Sequence, residues 1–298
     1  MPAKYFKCPD GESILIDACL SPKGCRMASR CATVPFLRLI GYDREWRGVS
    51  PSSAGNGPRY LYLKATRDYI IDPNDRVWAA LGTGTHGKLS IHKYTGNVLS
   101  EEPLSDEAMK GIADVLEQDE QGNGYILTDY KTFASFKLAR ALGITITHKE
   151  VAIIDEHGEP VYIKSGPNKG KAKTTKESTL TQKPDAADME SEIFQLNRYR
   201  IFFESAGFPI SRMQIQAIPR DGGTVVARNR GIMRNLYMIP VPRVSDGVIL
   251  CYYTMLSKEV NEAFKTGYAR LCYHGESWGG RRCKGFCEVA EHCKEMGE

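Results

Sequence analysis

Asp129-Tyr130-Lys131 sets a carboxylate and an amine two residues apart. On an extended strand, residues i and i+2 share a face. Asp129 and Lys131 then project together, and Tyr130 turns away with its backbone carbonyl still near. A carboxylate so placed can ligate a hard divalent cation. A lysine beside it can orient water or neutralise a phosphate, as metal-assisted phosphodiester hydrolysis requires. Three other groups have matching chemistry. Asp114 closes Gly111-Ile112-Ala113-Asp114 and offers a second carboxylate. His86 closes Gly82-Thr83-Gly84-Thr85-His86, where small residues permit close approach and the imidazole can ligate a metal. Gln195 and Tyr199 are four apart and share a face if their segment is helical. They can hold a nucleic-acid backbone or buttress Lys131. Taken singly, each group has a plainer reading: a surface ion pair, a solvent-facing acid, a structural histidine, an ordinary amphipathic helix.

These residues need elements to position them. MKGIADVLEQD, a turn at Gly122-Asn123-Gly124 and the strand YILTDYKT predict a hairpin that brings Asp114 beside Asp129. The first limb also fits an amphipathic helix. Asp72-Pro73 opens a helix that includes Val77, Trp78, Leu81 and His86. Apolar residues at helical spacing also run through 32–50 and 58–70. LSIHKYTGNVLSEEPLS reads as extended, with a turn at Gly96-Asn97. FASFKLARALGI predicts a helix, and VAIIDEHGEPVYIK a hairpin turning at His157-Gly158. Segment 164–188 is polar and Lys-rich and reads as a flexible loop. A helix from near Met189 to about Ala206 carries Gln195 and Tyr199. IQAIPRD, TVVARNR and YMIPVP read as strands, and VSDGVILCYYTMLSKEVNEAFKTGY ends in a helix.

The ordered set Gly82–His86, Gly111–Asp114, Asp129–Lys131 and Gln195–Tyr199 resembles the RecB-type branch of the PD-(D/E)xK nucleases. The match spans roughly residues 78–200. The resemblance implies an α/β fold, a mixed central sheet flanked by helices. It implies Mg²⁺- or Mn²⁺-dependent hydrolysis of DNA, with an exonuclease acting on single strands or ends as the expectation. His86, Asp114 and Asp129 would be metal ligands, Lys131 the catalytic lysine, and Gln195 and Tyr199 the substrate-positioning pair. Glu101, Glu102, Glu117, Asp119 and Glu120 are nearby in sequence and offer alternative carboxylates. A helicase or a recombination or integration protein is the implied partner. Two other readings stay open: a non-catalytic DNA-binding accessory on the same fold, and a zinc-ribbon protein in which Asp129-x-Lys131 is accidental.

The chain has nine cysteines. Clustered cysteines in a reducing compartment more often bind metal than form disulfides. Cys8, Cys19, Cys25 and Cys31 lie upstream, among turn-forming residues that cannot bury a core of their own. Cys272, Cys283, Cys287 and Cys293 lie downstream, and Cys251, in the apolar VILCYYTM, is expected to be buried. Close-spaced thiolates can wrap zinc or an iron–sulfur cluster. Either each group is separate, or an upstream cysteine joins the C-terminal trio. The iron–sulfur members of the family, the CRISPR-associated adaptation nucleases and the AddB-type subunits, use one upstream and three C-terminal cysteines for a 4Fe–4S cluster. That resemblance favours Cys31 with Cys283, Cys287 and Cys293, leaving Cys8, Cys19, Cys25 and Cys272 for zinc or a second site. The chain departs from the family in having three residues, not two, between Cys283 and Cys287.

Three regions follow: a cysteine-rich segment 1–31, a nuclease domain 32–250, and a helix with a cysteine-rich tail over 251–298. The formal net charge is +4, and the distribution says more than the sum. Six lysines face one acid between Lys164 and Lys183, and five arginines face one acid between Arg220 and Arg243. Both stretches can meet phosphates or stand as solvated surface. No apolar run approaches the ~20 residues of a bilayer span, and the N-terminus lacks the apolar stretch of a secretory signal. The expected setting is cytosolic, without membrane contact.

Overall fold

A computed structural model describes every residue except 1, 2, 24, 28, 43, 44, 92–96 and 298. The turn expected at Gly96-Asn97 thus lies partly outside the described residues. The chain forms two compact units. The first comprises Met1–Lys131, Glu190–Ile215 and Pro240–Glu298; the second comprises Thr132–Met189 and Gln216–Ile239.

In chain order the first segment of the first unit holds β1 (Tyr5–Lys7), β2 (Ser13–Leu15), α1 (Ile16–Leu20), α2 (Val34–Gly41), α3 (Pro58–Thr66), β3 (Ile70–Ile71), α4 (Pro73–Ser90), β4 (Val98–Ser105), β5 (Lys110–Gln118) and most of β6 (Tyr125–Phe133). Then come α5 (Ser135–Ala141), β7 (Ile144–Ala152), β8 (Thr174–Gln182), α6 (Glu190–Ser205), β9 (Ile210–Pro219), α7 (Val225–Asn229), β10 (Tyr237–Val241), α8 (Asp246–Thr266) and α9 (Ala290–Glu295). The fold is mixed α/β. A small sheet has the order β2-β1-β3, antiparallel on one side and parallel on the other. A five-stranded sheet has the order β10-β9-β6-β5-β4. Among the described residues no helix is long and apolar enough to cross a membrane.

Local chemistry explains the elements that hold the site. Asp72 caps α4 by accepting a hydrogen bond from the Asn74 backbone N–H at 2.9 Å, with Pro73 at the first helical position. MKGIADVLEQD is strand β5 and not a helix. Buried Ala113 and Val115 alternate with exposed Ile112 and half-buried Asp114, and the strand pairs antiparallel with both β4 and β6. α6 is enclosed on nearly all sides: Leu196, Asn197, Arg198, Tyr199, Arg200 and Phe203 are all buried. Such a helix needs partners for its polar groups. Asn197 donates to the Ile193 and Pro242 carbonyls, both at 2.9 Å, and accepts from the Val244 N–H. Arg200 reaches Glu204, Asp246 and the Val244 carbonyl.

The two ends of the chain share one apolar core. Phe6, Leu37, Ile40, Leu63 and Ile71 pack in the same cluster as Ala263, Ala269 and Val289. Burying each large side chain stabilises by about 1.5–3 kcal/mol. The N-terminal segment, with strands of three residues, gains its core in this way.

Several expectations need correction. TVVARNR is helix α7, not a strand: Thr224 accepts from the Ala227 N–H at 3.1 Å, only Ala227 turns inward, and Val225 and Val226 are exposed. The Lys-rich 164–188 segment is not one loop. Its threonine-rich stretch forms β8, which pairs with β7 over nine residue pairs from Ile144–Gln182 to Ala152–Thr174, and every residue of β8 is exposed. β-branched residues favour such extended pairing. Cys251 is exposed, not buried. The inward stripe of α8 is Ile249, Tyr253, Leu256, Val260 and Ala263, and Cys251, two residues past Ile249, turns to the opposite side.

Candidate active site

A row of carboxylates crosses three strands of the first unit. Ser100 stands opposite Val115 and Glu102 opposite Ala113, so Glu101 stands opposite Asp114. β5 and β6 pair up to Val115 opposite Thr128, and the next residues on each strand are Asp114 and Asp129. At that point the Asp114 side chain takes over from the ladder, accepting the Tyr130 N–H at 2.7 Å. Glu101 has φ +54°, a left-handed conformation that costs a residue with a Cβ. Mid-strand strain of this kind is concentrated at functional sites.

His86, near the C-terminal end of α4, reaches this row. Its Nδ1 lies 3.3 Å from Asp114 Oδ1 and 3.6 Å from Glu101 Oε1. Its ring meets the Tyr130 ring edge-on, with centroids 6.0 Å apart. Among the described residues, His86, Glu101 and Asp114 are the group of potential ligands whose donor atoms all lie within 4.8 Å of one another. One imidazole and two carboxylates suit a cation that prefers oxygen and tolerates nitrogen, which Mn²⁺ and Mg²⁺ satisfy.

Asp129 and Lys131 do project together, with Oδ2 and Nζ 2.7 Å apart. Gln195 on α6 bridges them: its amide nitrogen donates to Asp129 Oδ1 at 3.1 Å, and its oxygen accepts from Lys131 at 3.2 Å. Tyr199 is buried one turn further on and hydrogen-bonds Gln195. Asp129 Oδ1 accepts from Gln195, while Oδ2 ion-pairs with Lys131 but has no hydrogen-bond partner among the described residues. The donor atoms that cluster are those of His86, Glu101 and Asp114. Glu101 was legible only as one of several nearby acids. Glu192, buried one turn before Gln195 on α6, adds negative charge near Lys131 and was not singled out. Its three-residue spacing from Gln195 is the signal that marks it.

Burial is the dominant electrostatic influence on Asp129, pushing its carboxyl up to about 6 against the pull of Lys131; Asp114 adds to the rise. Lys131 is held above its ordinary value because Asp129 outweighs the cost of its own burial. The hydrogen bond to Asp114, with the charges of Asp114 and Glu101, raises His86 despite partial burial. Protonated His86 therefore stabilises the metal-free fold below its unfolded-state pKa, and that contribution is lost as pH rises through the raised value. A metal acts in the opposite sense, because ligation needs the unprotonated imidazole. In the metal-free protein, NMR titration of His86 is expected to give a midpoint above 6.5. Added Mn²⁺ or Mg²⁺ should lower that midpoint, and affinity should climb as pH rises through it. A metal-free midpoint at or below the ordinary value would count against the cluster.

Gly111 shows how tightly α6 sits on the row. A Cβ there would lie 2.8 Å from the Tyr199 ring and 2.9 Å from Pro51. Gly111→Ala is expected to destabilise by about 1–3 kcal/mol through overpacking, read as a lower denaturant midpoint.

The cysteines fall in two sets. Cys8, Cys19, Cys25 and Cys31 all line one small cavity. Burial is the main cause of a raised Cys19 thiol, and Cys25, Cys31 and Cys8 each act on it from close by. Downstream, Cys272 lies near Cys293, and Cys287 near Cys283. Cys31 thus shares its cavity with Cys8, Cys19 and Cys25. Cys31 follows Cys25 and Cys19 closely in the chain, and the same short segment carries all three to one place.

No family model matches this chain, and neither does any curated protein.

Proposed function

We propose that this protein is a divalent-metal-dependent deoxyribonuclease of the RecB-type PD-(D/E)xK kind, hydrolysing phosphodiester bonds at DNA ends or in single strands. The observation that carries the reading is the row Glu101–Asp114–Asp129, with Lys131 two residues beyond Asp129 and His86 brought to the row by α4. Four motifs that are far apart in sequence supply one surface. His86, Glu101 and Asp114 would hold the cation. When bound, it supplies charge stabilisation at the phosphate and activation of water.

The chain's own groups do the rest. Lys131, fully charged, neutralises charge that builds on the phosphate oxygens. Asp129, with an acidity brought near neutral by burial, can take a proton from the attacking water. Gln195 fixes the spacing of these two, and Tyr199 fixes Gln195. DNA is the partner the reading requires, and a helicase or integration protein delivering ends belongs to the same proposal. Two arginines of the 220–243 stretch are already paired with acids. Arg230 pairs with Asp221 at 3.8 Å, and Arg243 pairs with Glu204 at 2.8 Å. For the downstream cysteines we infer a second structural metal site on Cys272, Cys283, Cys287 and Cys293, a group kept separate from the upstream four; this departs from the family, whose 4Fe–4S cluster takes one upstream cysteine.

End-labelled single- and double-stranded DNA, incubated with Mg²⁺, with Mn²⁺ and with a chelator, tests the proposal. Degradation is expected with either metal and none with chelator. Binding without cleavage under every metal condition would overturn it in favour of an accessory protein.

A further inference from the structure

The four upstream thiols surround a cavity of about 10 Å³, whose other lining residues include Phe6 and Leu37 of the apolar core. That volume leaves room for a single small occupant. Cys8 heads a tight turn between β1 and β2: its carbonyl accepts the Gly11 N–H at 2.9 Å, its N–H donates to the Glu12 carbonyl at 2.7 Å, and Gly11 has φ +90°. Cys19 is buried on α1, and Cys25 and Cys31 follow in a segment of turns and bends. Positive charge stands close by. Arg30 donates to the Cys19 and Ser21 carbonyls, and Arg26, paired with Asp10 at 2.6 Å, also reaches Cys8.

We propose that Cys8, Cys19, Cys25 and Cys31 form a self-contained structural zinc site, separate from the catalytic row and from the C-terminal cysteines. Four thiolates are a complete tetrahedral zinc set. No three of these sulfurs lie within 4.8 Å of one another. Zinc–sulfur bonds of about 2.3 Å would set them roughly 3.8 Å apart, so the ring contracts when the ion enters. Cys8 is held in the β1–β2 turn and Cys19 on α1, so the approach falls to Cys25 and Cys31. Strands of three residues and a five-residue helix have little stability of their own, and segments of that size commonly rely on a metal. Zinc binding and stabilisation of these short elements are thus one event.

The test uses the full-length protein, produced with both zinc and iron available. Elemental analysis should find one zinc per chain. Cysteine alkylation of the folded protein, read by peptide mass spectrometry, should find Cys8, Cys19, Cys25 and Cys31 protected together. All four should become reactive together once a zinc chelator is added, with Cys251 reactive throughout. Zinc content should fall by about tenfold or more in Cys8→Ser/Cys19→Ser, as expected for loss of two of four ligands, and should be unchanged in Cys283→Ser/Cys287→Ser. Ready alkylation of the quartet in zinc-loaded protein would overturn the proposal. So would iron that follows the quartet, or protection of Cys31 in step with Cys283, Cys287 and Cys293. If the double variant fails to fold, the alkylation map of the unsubstituted chain still decides. A protein inactive on DNA but with this zinc map would separate the two proposals.

Discussion

Lys131→Met is expected to lower the rate of DNA cleavage about 10²–10³-fold, the usual consequence of removing one group that stabilises developing charge, while Mn²⁺ still binds. Nζ lies 2.7 Å from Asp129 and 3.2 Å from Gln195, and Lys131 is not in the His86–Glu101–Asp114 group. Its removal therefore strips the site of positive charge without touching a ligand. Asp129→Asn should be at least as damaging, since it keeps the volume and the Gln195 contact but removes the base and the partner of Lys131. Glu101→Gln is the contrasting variant. It leaves Asp129, Lys131 and Gln195 in place and should weaken Mn²⁺ binding, measured by calorimetry or electron paramagnetic resonance. Full cleavage by Lys131→Met would sink the nuclease assignment. Undiminished Mn²⁺ affinity in Glu101→Gln, with affinity lost in Asp129→Asn, would restore Asp129 as the ligand. Thermal melts of all three exclude unfolding as the cause.

Much of this site could be read before any coordinates, because its parts are local patterns. The i and i+2 spacing of Asp129 and Lys131 needs only a strand, and the strand is written in YILTDYKT. The four-residue spacing of Gln195 and Tyr199 needs only a helix. What escaped were properties of pairing. Glu101 joins the row because the β4–β5 register puts it opposite Asp114, and register is set by a whole hairpin. Asp129 turned out to serve Lys131 and Gln195 because α6 packs close over the row, and its tight seat on Gly111 is a tertiary fact. The errors elsewhere have one origin. Val225-Val226 reads as strand by propensity, yet the Thr224 cap and a single buried Ala227 decide for a helix. Cys251 has apolar neighbours in sequence, yet the helical period puts it outside. In the cysteines, the family pattern takes Cys31 to the C-terminal trio, whereas chain proximity takes it to the cavity it lines with Cys8, Cys19 and Cys25.

Asp106→Ala should cost about 3 kcal/mol of stability, although Asp106 is itself largely at the surface. It sits in the turn joining β4 to β5 and ion-pairs with Arg198 of α6, whose side chain is 2 % exposed. Arg198 also lies over the Phe202 ring at 4.1 Å, but its Nε and Nη1 have no hydrogen-bond partner among the described residues. Removing the carboxylate leaves a buried guanidinium without its ionic partner, for which losses of ~3–5 kcal/mol are typical. The exposure of Asp106, 41 % at its side chain, places the effect at the low end, because water reaches that side of the pair. Burial would raise the Asp106 carboxyl, but hydrogen bonds from Arg198 and from the Met109 and Ala108 N–H groups hold it below the usual range. Its contribution is therefore present above the unfolded-state pKa and lost as pH falls through the lower folded-state value. The pair joins the hairpin that carries Glu101 and Asp114 to the helix that carries Gln195 and Tyr199, so cleavage should fall along with stability. The decisive comparison is Asp106→Ala/Arg198→Met, measured by urea denaturation. If the cost is that of a stranded charge, the double variant will be more stable than Asp106→Ala alone, because the methionine fills the space without needing a partner. If the double variant is instead the weaker of the two, the loss lies in packing around Arg198, and the ion pair does not join hairpin to helix in the way its geometry indicates.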